Sequence, residues 1–263
     1  MYCKIRHRFS GLALAAAIST AALAAPATAG SFKDEPAAPA PARAFSWSFN
    51  IGATTDYVFR GFSQSAGDPA VQGGVDFSYG SLYLGVWGSG IDFGDGPGSA
   101  STEIDIYAGY KPTLGPVTFD LGVIYYAYLG ANDPTAELDY VELKLGASTT
   151  IQKFSFGGTV FFSPEYTGEL GEAWTLEGTA GYELPAFYGI TPTIGGTIGT
   201  TLFEDAALGG VDYVYWNAGV AFAADKLTLD LRYWDTDLPD ATCSGKVFGC
   251  DERFVATVKV TLP

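Results

Sequence analysis

Charged side chains two residues apart are the recurrent chemistry of this chain: Glu103 with Asp105, Glu142 with Lys144, and Asp230 with Arg232. On an extended backbone that spacing puts both groups on one face. Following the same parity from segment to segment collects nine acids: Asp56, Asp76, Glu103, Asp105, Asp120, Glu142, Glu177, Glu183 and Asp230. It collects five bases: Arg60, Lys144, Arg232, Arg253 and Lys259. A face with more acids than bases lowers the energy of cations and raises that of anions wherever it encloses water. It is poorly suited to catalysis, because a general base matched to neutral pH is normally histidine. The single histidine, His7, falls in a segment expected to be removed. Carboxylate-only chemistry at Asp92/Asp95 or at Asp235/Asp237/Asp240 has no nucleophile–base spacing to support it. "DFGDGPG" (92–98) and "DTDLPD" (235–240) offer hard oxygen ligands without EF-hand spacing, and read as solvated loops. No enzymatic activity, metal or cofactor is expected.

The elements that must position these groups are strands. From Ser46 onward apolar residues recur every second position, and no segment keeps the three-to-four spacing of an amphipathic helix. Near the C-terminus Phe254, Ala256, Val258, Val260 and Leu262 alternate with Arg253, Thr257, Lys259 and Thr261. Twelve such runs begin near Ser46, Ala70, Leu82, Thr102, Pro116, Leu138, Lys153, Ala173, Ile190, Val211, Lys226 and Asp251. A run of about ten residues is what a tilted strand needs to cross a bilayer core. Short links such as "YGS" (79–81) and "AADK" (223–226) alternate with longer polar loops around 60–69, 92–101, 129–137, 163–172, 202–210 and 235–250. An even strand count with short turns on one side and long loops on the other is the pattern of an outer-membrane barrel. The expected fold is all-β: a transmembrane antiparallel up-and-down β-barrel of about twelve strands. A soluble sandwich also alternates, but it hides its apolar faces, whereas the aromatics here gather at strand ends, where two membrane interfaces would lie.

Both ends of the chain fit that placement. Lys4, Arg6 and Arg8, the apolar "FSGLALAAAISTAALAA" and "ATA" before Gly30 make residues 1–29 an export signal. Losing those three bases and no acid takes the formal charge from −15 to −18, which disfavours nucleic acid as a partner. The Pro/Ala-rich stretch 30–45 reads as a periplasmic linker and 46–263 as the barrel. Cys243 and Cys250 then pair as a disulfide in an oxidising compartment.

Two main readings of the interior remain open, beside a third in which the inward aromatics form a stacking path for sugars or other planar solutes. Either it conducts, as a passive channel for small solutes or ions with mild cation preference, or it is filled, as in small structural barrels. Inward Tyr83, Trp87, Tyr107, Tyr126, Tyr128, Phe161, Tyr213, Tyr215 and Trp234 supply the bulk that filling would need. Extending strand parity past Thr54 sends Tyr57 and Phe59 outward to lipid and makes Arg60 a rim residue facing the lumen.

The blocks "TDYVFRGFSQSAGDPAVQGGVDFSYGSLYLGVWGSGIDFGDG" (55–96), "EIDIYAGY" (103–110), "VTFDLGVIYYAYLG" (117–130), "DYVELKLG" (139–146) and "FFSPEYTGELGEAWTLEGTAGYELP" (161–185) resemble the TorF-type porin family of Gram-negative outer-membrane proteins. The resemblance implies a location in the outer membrane after export through the periplasm. It also implies a pore, with outer-membrane lipid, lipopolysaccharide and the barrel-assembly machinery as partners. Such barrels usually end in an aromatic residue; this chain ends "TVKVTLP".

Overall fold

Alternation becomes a wall. The computed structural model describes residues 45–94, 99–131, 137–243, 245 and 247–263. The expected export signal, residues 30–44 of the linker, and Asp95 lie outside the described residues. Twelve long strands follow one another: β1 (Phe45–Thr54), β2 (Ala70–Tyr79), β3 (Leu82–Gly90), β4 (Thr102–Tyr110), β5 (Val117–Leu129), β6 (Tyr140–Ile151), β7 (Phe154–Ser163), β8 (Ala173–Glu183), β9 (Thr191–Phe203), β10 (Tyr213–Ala224), β11 (Leu227–Thr236) and β12 (Arg253–Leu262). Each starts within two residues of the position the sequence period indicates. Every strand pairs antiparallel with its neighbours in sequence, and β1 also pairs with β12, from Phe49↔Leu262 to Thr54↔Thr257. The sheet is therefore a closed barrel with no free edge. Among the described residues no helix is long and apolar enough to cross a membrane; crossing by strands needs none.

Side-chain parity gives the barrel two different surfaces. Trp47, Phe49 and Ile51 on β1, Leu82, Leu84 and Val86 on β3, and Leu227, Leu229 and Leu231 on β11 all point outward and are exposed. A continuous belt of such residues has no place in water and suits a hydrocarbon solvent. Inward positions carry Ser, Thr, Gly, Tyr and the charged groups. The links also sort by length. β2–β3, β6–β7 and β10–β11 turn in two residues each, while the described residues of the longer links 55–69, 91–101, 130–139, 164–172, 204–212 and 237–252 gather at the opposite end.

The two ends differ inside as well. Near the short turns inward Ser46, Ser148, Thr150 and Ser155 are exposed, so water reaches the interior there. Toward the long loops the inward residues of nearly every strand are buried, including Tyr126, Tyr215, Glu103 and Glu142. The large rings fit in two ways: Tyr126 and Tyr140 stack face to face across neighbouring strands, 4.3 Å between centroids, and others lie over glycines of the wall. Tyr107 rests on Gly85 of the neighbouring strand, where any Cβ would overlap the phenol ring.

Candidate functional site

The parity of β1 stops at Thr54, whose hydroxyl donates to the Asp56 carbonyl, and the chain then turns into the barrel. Val58–Phe59 and Phe62–Ser63 form a small hairpin with Arg60 and Gly61 at its tip. Both tip residues have positive φ, 49° and 89°, as a type I′ turn requires. Glycine adopts that conformation freely. Arginine does so at a cost, so other contacts must hold it there.

Those contacts are strong. The Arg60 guanidinium donates to both carboxylate oxygens of Glu142 on β6, at 2.7 and 2.8 Å. It is stacked between Phe59 and Phe161, 4.7 and 4.8 Å from the ring centroids. The Tyr126 hydroxyl adds a third donor to Glu142 at 3.0 Å. On the other side of the barrel Phe62 meets Tyr213 edge-on, and Gly61 sits against Thr236 and Tyr215, with no room for a side chain. The hairpin therefore crosses the lumen from β6–β7 to β10–β11.

Its root is fastened by hydrogen bonds. Asp56 accepts from Ser63, Ser65 and Arg253 at 2.6, 3.0 and 2.8 Å. Tyr57 donates its hydroxyl to Glu103 at 2.8 Å, and the Ser63 amide donates to the Gly249 carbonyl at 2.9 Å. Gly249 belongs to the loop after β11, which the Cys243–Cys250 disulfide braces. The amide of Asp92 donates to the Gln64 carbonyl, tying in the loop after β3.

Charge is distributed unevenly along the axis. In the long-loop half lie Asp56, Glu103, Asp105, Glu142 and Glu177, against Arg60 and Arg253. In the short-turn half Asp76, Asp120, Glu183 and Asp230 face Lys144, Arg232 and Lys259. There Lys144 pairs with Asp120 at 2.8 Å and Arg232 with Asp230 at 2.8 Å. The acid surplus thus sits around the hairpin, while the more exposed half is close to balanced. Among the described residues no group of three or more His, Cys, Asp or Glu is placed to hold a metal ion.

A family model described as "Bacterial protein of unknown function (Gcw_chp)" matches residues 38–262, the whole ring and its hairpin. The chain belongs to this family. Among solved structures, this Gcw_chp chain resembles the KdgM porin, with a TM-score of 0.53 at 8% identity over 82% of this chain and 99% of that one. It is equally similar to the KdgM porin in complex with disordered oligogalacturonate, with a TM-score of 0.52 at 8% identity over 82% and 99%. The NanC porin gives 0.49 at 10% identity, over 83% and 100%. At such identities the likeness concerns the fold. No curated protein matches the chain.

Within the Gcw_chp barrel, the strand-borne charges singled out from sequence share the inward parity. Six residues expected to line a passage, Asp56, Arg60, Glu103, Asp105, Glu142 and Glu177, are instead buried in the packed half. The cause is the hairpin: it carries Asp56 and Arg60 inward itself and occupies the space that strand-borne Glu103, Asp105, Glu142 and Glu177 would have faced. Two further expectations are corrected by the same turn. Tyr57 and Phe59 do not face lipid; they pack inside against the aromatic cluster of Tyr126 and Tyr128. Arg60 is not a rim residue but 4% exposed inside the barrel. Sequence reasoning missed Ser63, Ser65 and Gly249 as anchors. The signal was present for the first two, since serines flanking an arginine–glycine turn are ready partners for a buried Asp56.

Proposed function

We propose that the protein is an outer-membrane channel of the porin type, passing small solutes or ions, with the 55–69 segment as its constriction. The observation that carries this reading is the closed ring with an apolar outer belt and a polar short-turn half whose inward residues are exposed to solvent. On this reading residues 1–29 direct export, 30–45 form a periplasmic linker, and the short turns face the periplasm. Membrane lipid surrounds the belt, lipopolysaccharide meets the long loops, and insertion uses the barrel-assembly machinery. The TorF-type resemblance of the 55–96 block supports the same assignment.

The surplus of inward acids supports a mild cation preference. KdgM is described with oligogalacturonate, a polyanion; the acid-rich constriction here argues for a different solute. In planar bilayers under a potassium chloride gradient, the purified full chain is expected to give conductance steps and a reversal potential of cation sign. A chloride-favouring potential would sink the preference. The Arg60–Glu142 closure supports a second reading, a barrel that does not conduct. Absence of steps in the wild type and in an Arg60→Ala variant would establish it over the first.

A further inference from the structure

The bases of the lumen are largely committed. Arg60 serves Glu142, Arg253 serves Asp56, Lys144 and Lys111 serve Asp120, and Arg232 serves Asp230. Glu103 and Asp105 have no ion pair among the described residues, although they are only 2% and 9% exposed. They stand on the same face of β4, separated along the strand by about 6.6 Å, two residues at about 3.3 Å each. The Tyr57 hydroxyl donates to Glu103, but Asp105 Oδ1 is buried without a hydrogen-bond partner among the described residues. Two carboxylates taken from water without a counter-charge are costly, and an acceptor without a donor adds to that cost. The next carboxylate, Glu142, lies beyond Tyr126 and is already neutralised by Arg60.

We infer that Glu103 and Asp105, with the Tyr57 phenol, form a binding site for a small monovalent cation at the root of the hairpin. The donors are all hard oxygens, which select alkali-metal or primary ammonium ions over soft metals. A dehydrated divalent ion needs six or more oxygens and usually several carboxylates, and among the described residues no third acid joins this pair. Water supplies the remaining ligands from below. Tyr107, next on the same face, reaches across to Asp76, where the wall passes from buried to half-exposed. The bound ion would join the hairpin root to the β4 wall and hold the constriction shut from beneath. The site deepens the proposed cation preference, yet it does not require the barrel to conduct.

The test uses the refolded full chain in detergent micelles, with sodium, potassium or N-methylglucamine chloride at one ionic strength and pH. The readout is the temperature at which the folded band of the barrel is lost on a gel. The wild type should unfold at a higher temperature in sodium or potassium than in the bulky cation. Asp105→Asn and Glu103→Gln should each lose that gap while staying folded, because a neutral isostere removes the repulsion the ion relieves. Glu183→Gln, an acid in the open half, should keep it. Equal unfolding temperatures for the wild type in all three salts, or a gap that survives in Asp105→Asn, would overturn the site. So would sodium-23 NMR linewidths that are the same with wild type and with Asp105→Asn. Stability that follows pH alone, indifferent to the cation, would show that protons neutralise the pair and would overturn it equally. Conductance measured on the same samples reports on the channel separately, so a silent barrel with a salt-specific gap would refute the channel and leave the site.

Discussion

Replacing Arg60 by alanine is the sharpest perturbation of the hairpin. Its side chain and that of Glu142 are 3% and 2% exposed, so the substitution leaves a buried carboxylate whose remaining donor among the described residues is the Tyr126 hydroxyl. Removing one partner of a buried ion pair costs about 3–5 kcal/mol. At about 1.4 kcal/mol per decade, the ratio of shut to open hairpin should fall by roughly 10²- to 10⁴-fold. Loss of the contacts to Phe59 and Phe161 adds about 1 kcal/mol that Glu142→Ala would spare. The single variants should therefore rank with Arg60→Ala the more open. The double variant, with no charge left to bury, should recover most of the closure. Single-channel open probability in bilayers, together with the unfolding midpoint of the refolded barrel, reads both quantities. If Arg60→Ala matches wild type within about 0.5 kcal/mol, the ion pair behaves like an exposed one and the constriction is not held by it. If the double variant is simply additive, the buried-charge argument fails.

Other consequences can be checked independently. Replacing Cys243 and Cys250 by serine opens a ring of sequence separation 7 and should cost about 2.5 kcal/mol by loop entropy. Protease should then cut the loop after β11 sooner than in wild type; equal cutting rates would show that the brace is redundant. Gly85→Ala should push the Tyr107 ring off the wall and lower stability by about 1–3 kcal/mol, seen as a lower unfolding midpoint. A spin label at Leu229 should be quenched by oxygen dissolved in lipid, and one at Asp230 by a water-soluble nickel complex. The reverse pattern would turn the barrel inside out.

Much of this architecture is written in the period of the chain, and the part that is not has a definite cause. Strand positions follow from alternation because each inward or outward choice is made by the solvent on that side, one residue at a time. Leu229 and Asp230 are legible for that reason. Tyr57, Phe59 and Arg60 are not, because extending a parity assumes that the strand continues, and β1 ends at Thr54. What directs the next residues is a set of distant partners, Glu142, Arg253 and Gly249, brought near only by closure of the ring. The sequence shows a loop beginning near Arg60 and nothing of the tight arginine–glycine tip. Its destination, the Glu142 carboxylate, lies 82 residues away and has no local signature.

The seam between β1 and β12 sets the timetable for making the molecule. Until Phe49 finds Leu262, the growing sheet presents a bare row of amides and carbonyls at each margin, and either row is a template for a stray chain. The ring's first strand must wait for its last, the slowest kind of contact a polypeptide makes. An unfinished copy thus stays open to stray pairing along both borders for the whole interval, and only closure of the circle ends that exposure.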